Sequence, residues 1–295
     1  MAKLIFGCGY LGLRVARLWR SAGHPVYAVT RSADRAAKLA AAGLEPIVAD
    51  LPAEAQIPIP QGVRTVLFAV GHDRTAAHSI HDVYVRGLAQ AMDALPESVE
   101  RLIYISSTGV YSYASGEEVD ERSPCHPRRE GGKASLAAEQ LLSSSRFASR
   151  AIILRLAGLY GPGRIPRSAD LIAGRPIDAP AYGWLNLIHV DDAAQIVLLV
   201  EQRASPPQTY VVSDGRPVQR ADYYAELARL LGAPLPEFAT PPADSPAAAR
   251  AASDKRINPK KIFADLQLSL LYPDYRTGLA AIVSLAGIKP APGTQ

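Results

Sequence analysis

Glycines at positions 7, 9 and 12 form the pattern G-x-G-x-x-G, directly after the apolar run at 2–6 and directly before a helical pattern at 10–22. That placement addresses an anion. Gly7 permits a tight turn, Gly9 lets backbone N–H groups approach a pyrophosphate, and Gly12 lets the helix pack close to the strand with its N-terminus facing the charge. Tyr10 and Leu11 complete the loop, and Ala69, Val70 and Gly71, which end a later strand pattern, are expected to wall the same dinucleotide site. The alternative is a tight strand-to-helix turn with no ligand.

The choice of dinucleotide is read at the end of the second strand pattern, where a carboxylate would hold a ribose 2′-OH and repel a 2′-phosphate. Here stand Thr30, Arg31 and Ser32, with Arg35 one turn on. Arg31 offers a bidentate fork and the hydroxyls add donors, so NADP(H) is favoured over NAD(H). Asp50, at the end of the third strand pattern, stands where an adenine amino group can be met or where a loop simply begins.

These residues need a frame. Apolar runs at 2–6, 25–30, 64–70, 101–106 and 151–156 read as buried parallel strands, and helical patterns at 10–22, 32–42, 78–94 and 132–147 lie between them. Such alternation predicts an α/β fold, a doubly wound parallel sheet with a smaller C-terminal substrate region. The expected division is 1–156 for the dinucleotide-binding part, which also receives 184–202, and 157–295 for the smaller part. The stretch 241–256 lacks periodicity and reads as a long loop.

The 295 residues carry a net charge of +4, with 20% charged and 48% hydrophobic residues. The charge is spread rather than gathered into a basic stripe, so no nucleic-acid partner is expected and small anionic ligands are. Cys8 and Cys125 lie in no disulfide or metal-ligand spacing, and no metal site is expected. No apolar run approaches a membrane span, and a cytoplasmic setting fits.

At GCGYLG (7–12), YISSTGVY (104–111), SLAAEQLL (135–142), RLAGLYGPG (155–163) and LIHVDDAAQ (187–195), the chain resembles the extended short-chain dehydrogenase/reductase family of epimerases and dehydratases. LSLLYPDYRTGL at 268–279 is similar to an atypical branch. The resemblance implies a Ser that polarises a substrate carbonyl, matched by Ser107, and a Tyr acid/base whose pKa a Lys four residues later lowers. The Tyr is missing. If Lys133 is the family's Lys, the Tyr position holds Arg129; if SLAAEQLL sets the register, Ser135 and Gly131 occupy the two positions. Tyr84 and Tyr111 are candidate replacement acids, beside the possibility that either is only packing.

The resemblance also places Thr108, Arg155, Tyr160, Asn186 and His189 around a substrate, and His72, Asp73 and Arg74 follow a strand end where ligands bind in such sheets. Asp191 reads equally as a helix N-cap, and Arg155 as a partner for an anion or for Asp192. The expected function is hydride transfer between NADP(H) and a carbonyl or hydroxyl of a small polar, perhaps nucleotide-linked, substrate. A non-catalytic NADP(H)-binding redox sensor is the alternative. The family resemblance also implies a homodimer through the helices at 78–94 and 132–147.

Overall fold

The computed structural model describes residues 1–285 other than 54, 55, 74, 76, 246 and 249–251. The chain begins with β1 (Ala2–Phe6), α1 (Gly12–Ser21), β2 (Val26–Thr30), α2 (Ala33–Ala41), β3 (Glu45–Val48), β4 (Val63–Phe68), α3 (Gly87–Ala94) and β5 (Arg101–Ser107). There follow β6 (Ala114–Val119), α4 (Glu130–Ser143), β7 (Ala151–Leu156), β8 (Gly158–Tyr160), α5 (Ser168–Ile172), β9 (Ile177–Asp178), β10 (Trp184–Leu185) and β11 (Leu187–His189). The remaining elements are α6 (Val190–Arg203), β12 (Gln208–Val212), β13 (Val218–Gln219), α7 (Arg220–Leu231), β14 (Phe238–Ala239), β15 (Asp254–Ile257), α8 (Lys260–Leu266) and α9 (Tyr275–Leu285).

Seven strands form one sheet in the order β12-β7-β5-β4-β1-β2-β3, every pair parallel. The five long apolar runs of the sequence are its centre, because a strand covered by helices on both faces needs apolar side chains at nearly every position. All four residues of β1 from Lys3 to Phe6 are buried. In α1 the buried Gly12, Val15, Ala16 and Trp19 recur at helical spacing and turn one face to the sheet. On that face Val15, Trp19, Ile196 and Val200 join one apolar cluster, while Leu88, Met92, Leu142 and Phe147 join a second on the opposite face.

The single lysine of β1 is accounted for inside the core. Lys3 pairs with Glu201 of α6, which also accepts from Thr65 Oγ1 at 2.7 Å and Trp19 Nε1 at 2.6 Å. Each polar atom of this buried carboxylate therefore has a partner, as burial in low dielectric demands. A third cluster gathers Tyr160, Tyr223, Leu227, Tyr275 and Leu279 beneath the later helices.

The predicted loop at 241–256 is corrected at its end. Residues Asp254–Ile257 form β15, which pairs in parallel with β6. Both strands are polar, so neither shows the alternation by which a strand is recognised. Side chains hold them instead: Asn186 Nδ2 donates to the Lys255 carbonyl at 2.8 Å, and Asn186 Oδ1 accepts from Ile257 N–H at 2.7 Å. No helix among the described residues is long and apolar enough to cross a membrane.

Candidate active site

At the carboxyl ends of β1, β2, β4, β5 and β7 lies a cleft of about 960 Å³, at the point where the strand order reverses between β1 and β4. Ligands bind in open α/β sheets at this kind of position, because the diverging crossovers leave a crevice there. Gly7 has φ of 86°, and a Cβ on it would lie 2.5 Å from the Ala69 carbonyl carbon. At Gly12 a Cβ would lie 2.4 Å from the Gly7 carbonyl oxygen, so α1 can start this close to the loop only without a side chain. Gly9, by contrast, faces open space and lines the cleft with Tyr10 and Leu11. No side chain caps the first turn of α1; the Leu13 and Arg14 amides bond the Gly9 and Leu11 carbonyls, and the positive end of the helix dipole lies at the glycine loop.

Ala69, Val70 and Gly71 form the facing wall, and Thr30, Arg31, Arg35 and Asp50 line one end. Ser32 does not line it; its Oγ accepts from Arg35 N–H at 3.3 Å and caps α2. Arg35 Nη2 donates to the Cys8 carbonyl at 2.8 Å, tying α2 to the glycine loop. Arg31 is ion-paired with Asp73, and both side chains are close to half exposed. Hydrogen bonds from Thr75 hold the Asp73 carboxyl at about 2, with the Arg31 guanidinium adding to the effect.

The other end carries hydroxyls. Ser106, Ser107 and Thr108 line it from the end of β5, and Ser107 Oγ accepts from Gly109 N–H at 3.0 Å, fixing the turn that follows. Tyr84 lines the same space from a π-helical turn at Asp82–Arg86, a backbone irregularity that turns side chains out of helical register.

Two expected catalytic residues lie elsewhere. Tyr111 is 1% exposed; its hydroxyl donates to the Asp120 carbonyl at 2.8 Å and accepts from Arg155 Nη1 at 2.6 Å, and burial pushes its pKa far above the usual phenol value. Lys133 is exposed and bound to Glu130. Each register puts one residue on the cleft: Arg129 and Ser135 line it, while Lys133 and Gly131 do not. Ser135 Oγ donates to the Gly131 carbonyl one turn earlier, so in that register the positions where the resemblance expects Lys and Tyr hold a short hydroxyl and no side chain, and in the other they hold Lys133 and Arg129.

Several expected substrate contacts are structural. Arg155 is buried against Glu139, donating from Nη2 at 2.6 Å and from Nε to both carboxylate oxygens; Glu139 also accepts from Ser106 Oγ at 2.5 Å. The resulting network braces the end of β5 behind the hydroxyls. Tyr160 is 1% exposed and reaches the Asp274 carbonyl at 3.4 Å. His189, also 1% exposed, stacks on Tyr272 with ring centroids 3.8 Å apart and caps α6 by accepting from Asp191 N–H at 3.3 Å. Asp191 pairs with Arg14 at 2.7 Å, and Asp192 accepts from Leu271 N–H at 2.7 Å, so neither partners Arg155. His72 bonds the His78 carbonyl at 3.1 Å and stays off the lining; Arg74 lies outside the described residues. Of the expected substrate contacts among the described residues, Thr108 lines the cleft directly, and Asp73 lines its other end in its pair with Arg31.

Three basic residues that sequence reasoning passed over also line the cleft: Arg129, Arg164 and Lys255. Arg129, which precedes α4, was weighed only as a register marker. Lys255 carried no signal, because its strand lacks any apolar pattern.

Known proteins resemble this chain along much of its length. Protein YeeZ of Escherichia coli strain K12 is 30% identical over 194 residues, 65% of this chain and 66% of YeeZ, so the chain spans just under two thirds of that relative. A 4-hydroxy-2-methyl-3-oxo-4-farnesyl-3,4-dihydroquinoline-1-oxide ketoreductase from Stigmatella aurantiaca is 28% identical over 77% of this chain and 72% of its own. The solved structure of a functionally unknown conserved protein from Silicibacter pomeroyi superposes with a TM-score of 0.77 at 28% identity, covering 97% of this chain and 99% of the other. With the glycine loop, the parallel sheet and the cleft in place, the match of residues 4–213 to the family profile carries the conclusion: the chain belongs to the NAD dependent epimerase/dehydratase family.

Proposed function

We propose that this protein binds NADP(H) along the cleft and transfers a hydride between it and a carbonyl or hydroxyl carbon of a small polar substrate, free or nucleotide-linked. One observation carries the reading: the glycine loop, Arg31 and the Ser107–Thr108 hydroxyls line one continuous cleft, with the anion-binding turn between the other two. The cofactor supplies the hydride, while Ser107 and Thr108 are placed to donate hydrogen bonds to a substrate oxygen. For the 2′-phosphate, Arg31 and Arg35 stand at the end of β2 where a carboxylate would select NAD(H). The ketoreductase relative agrees with reduction of a carbonyl. Titration calorimetry with NADPH and NADH, followed by a carbonyl panel with wild type and Ser107→Ala, tests the reading; NADPH binding without oxidation by any carbonyl rejects the hydride step.

A second reading has its own support. The absence of a tyrosine in either register, Arg129 or Gly131 standing at that position, fits a protein that holds NADP(H) as a redox sensor without turning over. Binding without turnover, with a thermal stability that differs between the oxidised and reduced cofactor, is the outcome that reading requires.

A further inference from the structure

Lys255 is 7% exposed, yet it lines the same cleft as Ser107, Thr108 and Arg129. Its Nζ donates to the Tyr111 carbonyl at 3.0 Å and to Ser253 Oγ at 2.9 Å. Both partners are neutral, and an ammonium carries three N–H bonds, so one remains for a ligand. The charges that act on it are the Arg129 guanidinium, ahead of α4, and the Asp254 carboxylate, its neighbour in β15, which is itself engaged by Trp184 N–H at 2.7 Å. Burial is the largest influence, Arg129 adds to it, and together they bring the amine down to about 8.

The placement is fixed by the fold. Asn186 clamps the Lys255 carbonyl and the Ile257 amide, and the Tyr111 carbonyl that receives Nζ ends the turn begun at Ser107. The lysine is thus tied to the same short segment that presents the hydroxyls. In neither register does α4 supply a tyrosine, since Gly131 or Arg129 holds that position.

We propose that Lys255 is the proton donor and acceptor of this site, serving from β15 where the family resemblance expects a tyrosine on α4. The inference rests on the hydride-transfer reading above. In the reducing direction Lys255 gives a proton to the substrate oxygen as hydride reaches the carbonyl carbon. The nicotinamide C–H bond breaks, new C–H and O–H bonds form, the carbonyl π pair ends on oxygen, and NADPH supplies both electrons. Lys255, left neutral, regains its proton from water.

The test combines turnover with a titration that needs none. NADPH oxidation is followed from pH 6 to 10 with 4-nitrobenzaldehyde and 9,10-phenanthrenequinone, using wild type, Lys255→Met and Lys255→Arg, each checked for NADPH binding and melting temperature. In parallel, 13Cε-labelled lysine resonances are titrated and Lys255 is assigned by its loss in Lys255→Arg. The expected result is a wild-type rate that falls above about pH 8, a Lys255 resonance with the same midpoint, and a loss of about 10² to 10⁴ in both variants with NADPH binding kept. Arginine keeps the charge but cannot give up the proton, so Lys255→Arg separates proton transfer from charge alone. A wild type that reduces either probe while Lys255→Arg keeps its rate and alkaline limb overturns this proposal alone. NADPH bound without reduction of either probe overturns the hydride reading and this one together, and a Lys255 resonance that titrates as an exposed lysine overturns the acid role however the rates fall.

Discussion

The Arg31 guanidinium at the end of β2 is bound to the Asp73 carboxylate in the segment after β4, so an acidic residue of the chain occupies the group to which the proposed function assigns the 2′-phosphate. A phosphate must displace or share with that carboxylate. Arg31→Ala should weaken NADPH by about tenfold or more and leave NADH nearly unchanged, since a charge-assisted bond to phosphate is lost. Asp73→Ala should tighten NADPH by up to about fivefold, because the competing pair is exposed and weak. Calorimetry on the two variants checks both, and equal affinity of the wild type for the two cofactors would contradict the assignment.

Tyr111→Phe separates structure from chemistry. The phenol joins the Asp120 carbonyl to Arg155, so its loss leaves a buried guanidinium one partner short and should cost about 1 to 3 kcal/mol in urea unfolding. NADPH affinity should not change. A variant of unchanged stability would show that the Glu139–Arg155–Tyr111 network does not brace β5.

Asp214 predicts an unusual pH dependence. Burial, aided by nearby Asp274 and Asp192 and opposed by the Arg216 N–H bond, raises its pKa from the ordinary carboxyl range to about 7. The folded state therefore holds a proton that the unfolded chain releases between about pH 4 and 7. This contribution to stability is complete below the unfolded pKa and disappears as pH rises through 7. Asp214→Asn should gain stability relative to wild type on going from pH 5 to pH 8, as read by urea unfolding at each pH. A constant difference between the two proteins would refute the linkage.

Gly9→Ala and Gly12→Ala should part company. A methyl at Gly12 meets the Gly7 carbonyl, and displacing α1 should cost about 1 to 3 kcal/mol of stability. At Gly9 it meets no atom of the chain, so folding should be unaffected while NADPH binding weakens. Thermal melts with and without NADPH distinguish these; a stabilising shift by NADPH on Gly9→Ala equal to that of wild type would remove the loop from the cofactor site.

The glycine loop, the five central strands and the helix faces were legible in the sequence because their determinants are local: φ at Gly7, contact between Gly12 and Gly7, and apolar residues at the period of each element. The N-terminal family motifs likewise sit where their spacing implied. Local sequence could not tell which polar side chains point into the cleft. Arg155 and Tyr160 have the residue types of ligand contacts, yet partners brought from distant positions, Glu139 and Tyr111 for the one and the Asp274 carbonyl for the other, engage them first, since an unpaired polar group in the core is costly. Lys255 is the converse. Its strand is polar, its pairing with β6 spans more than a hundred residues, and Asn186 holds it from a third segment, so only the tertiary structure decided that this lysine, and not Lys133, would line the cleft with Ser107.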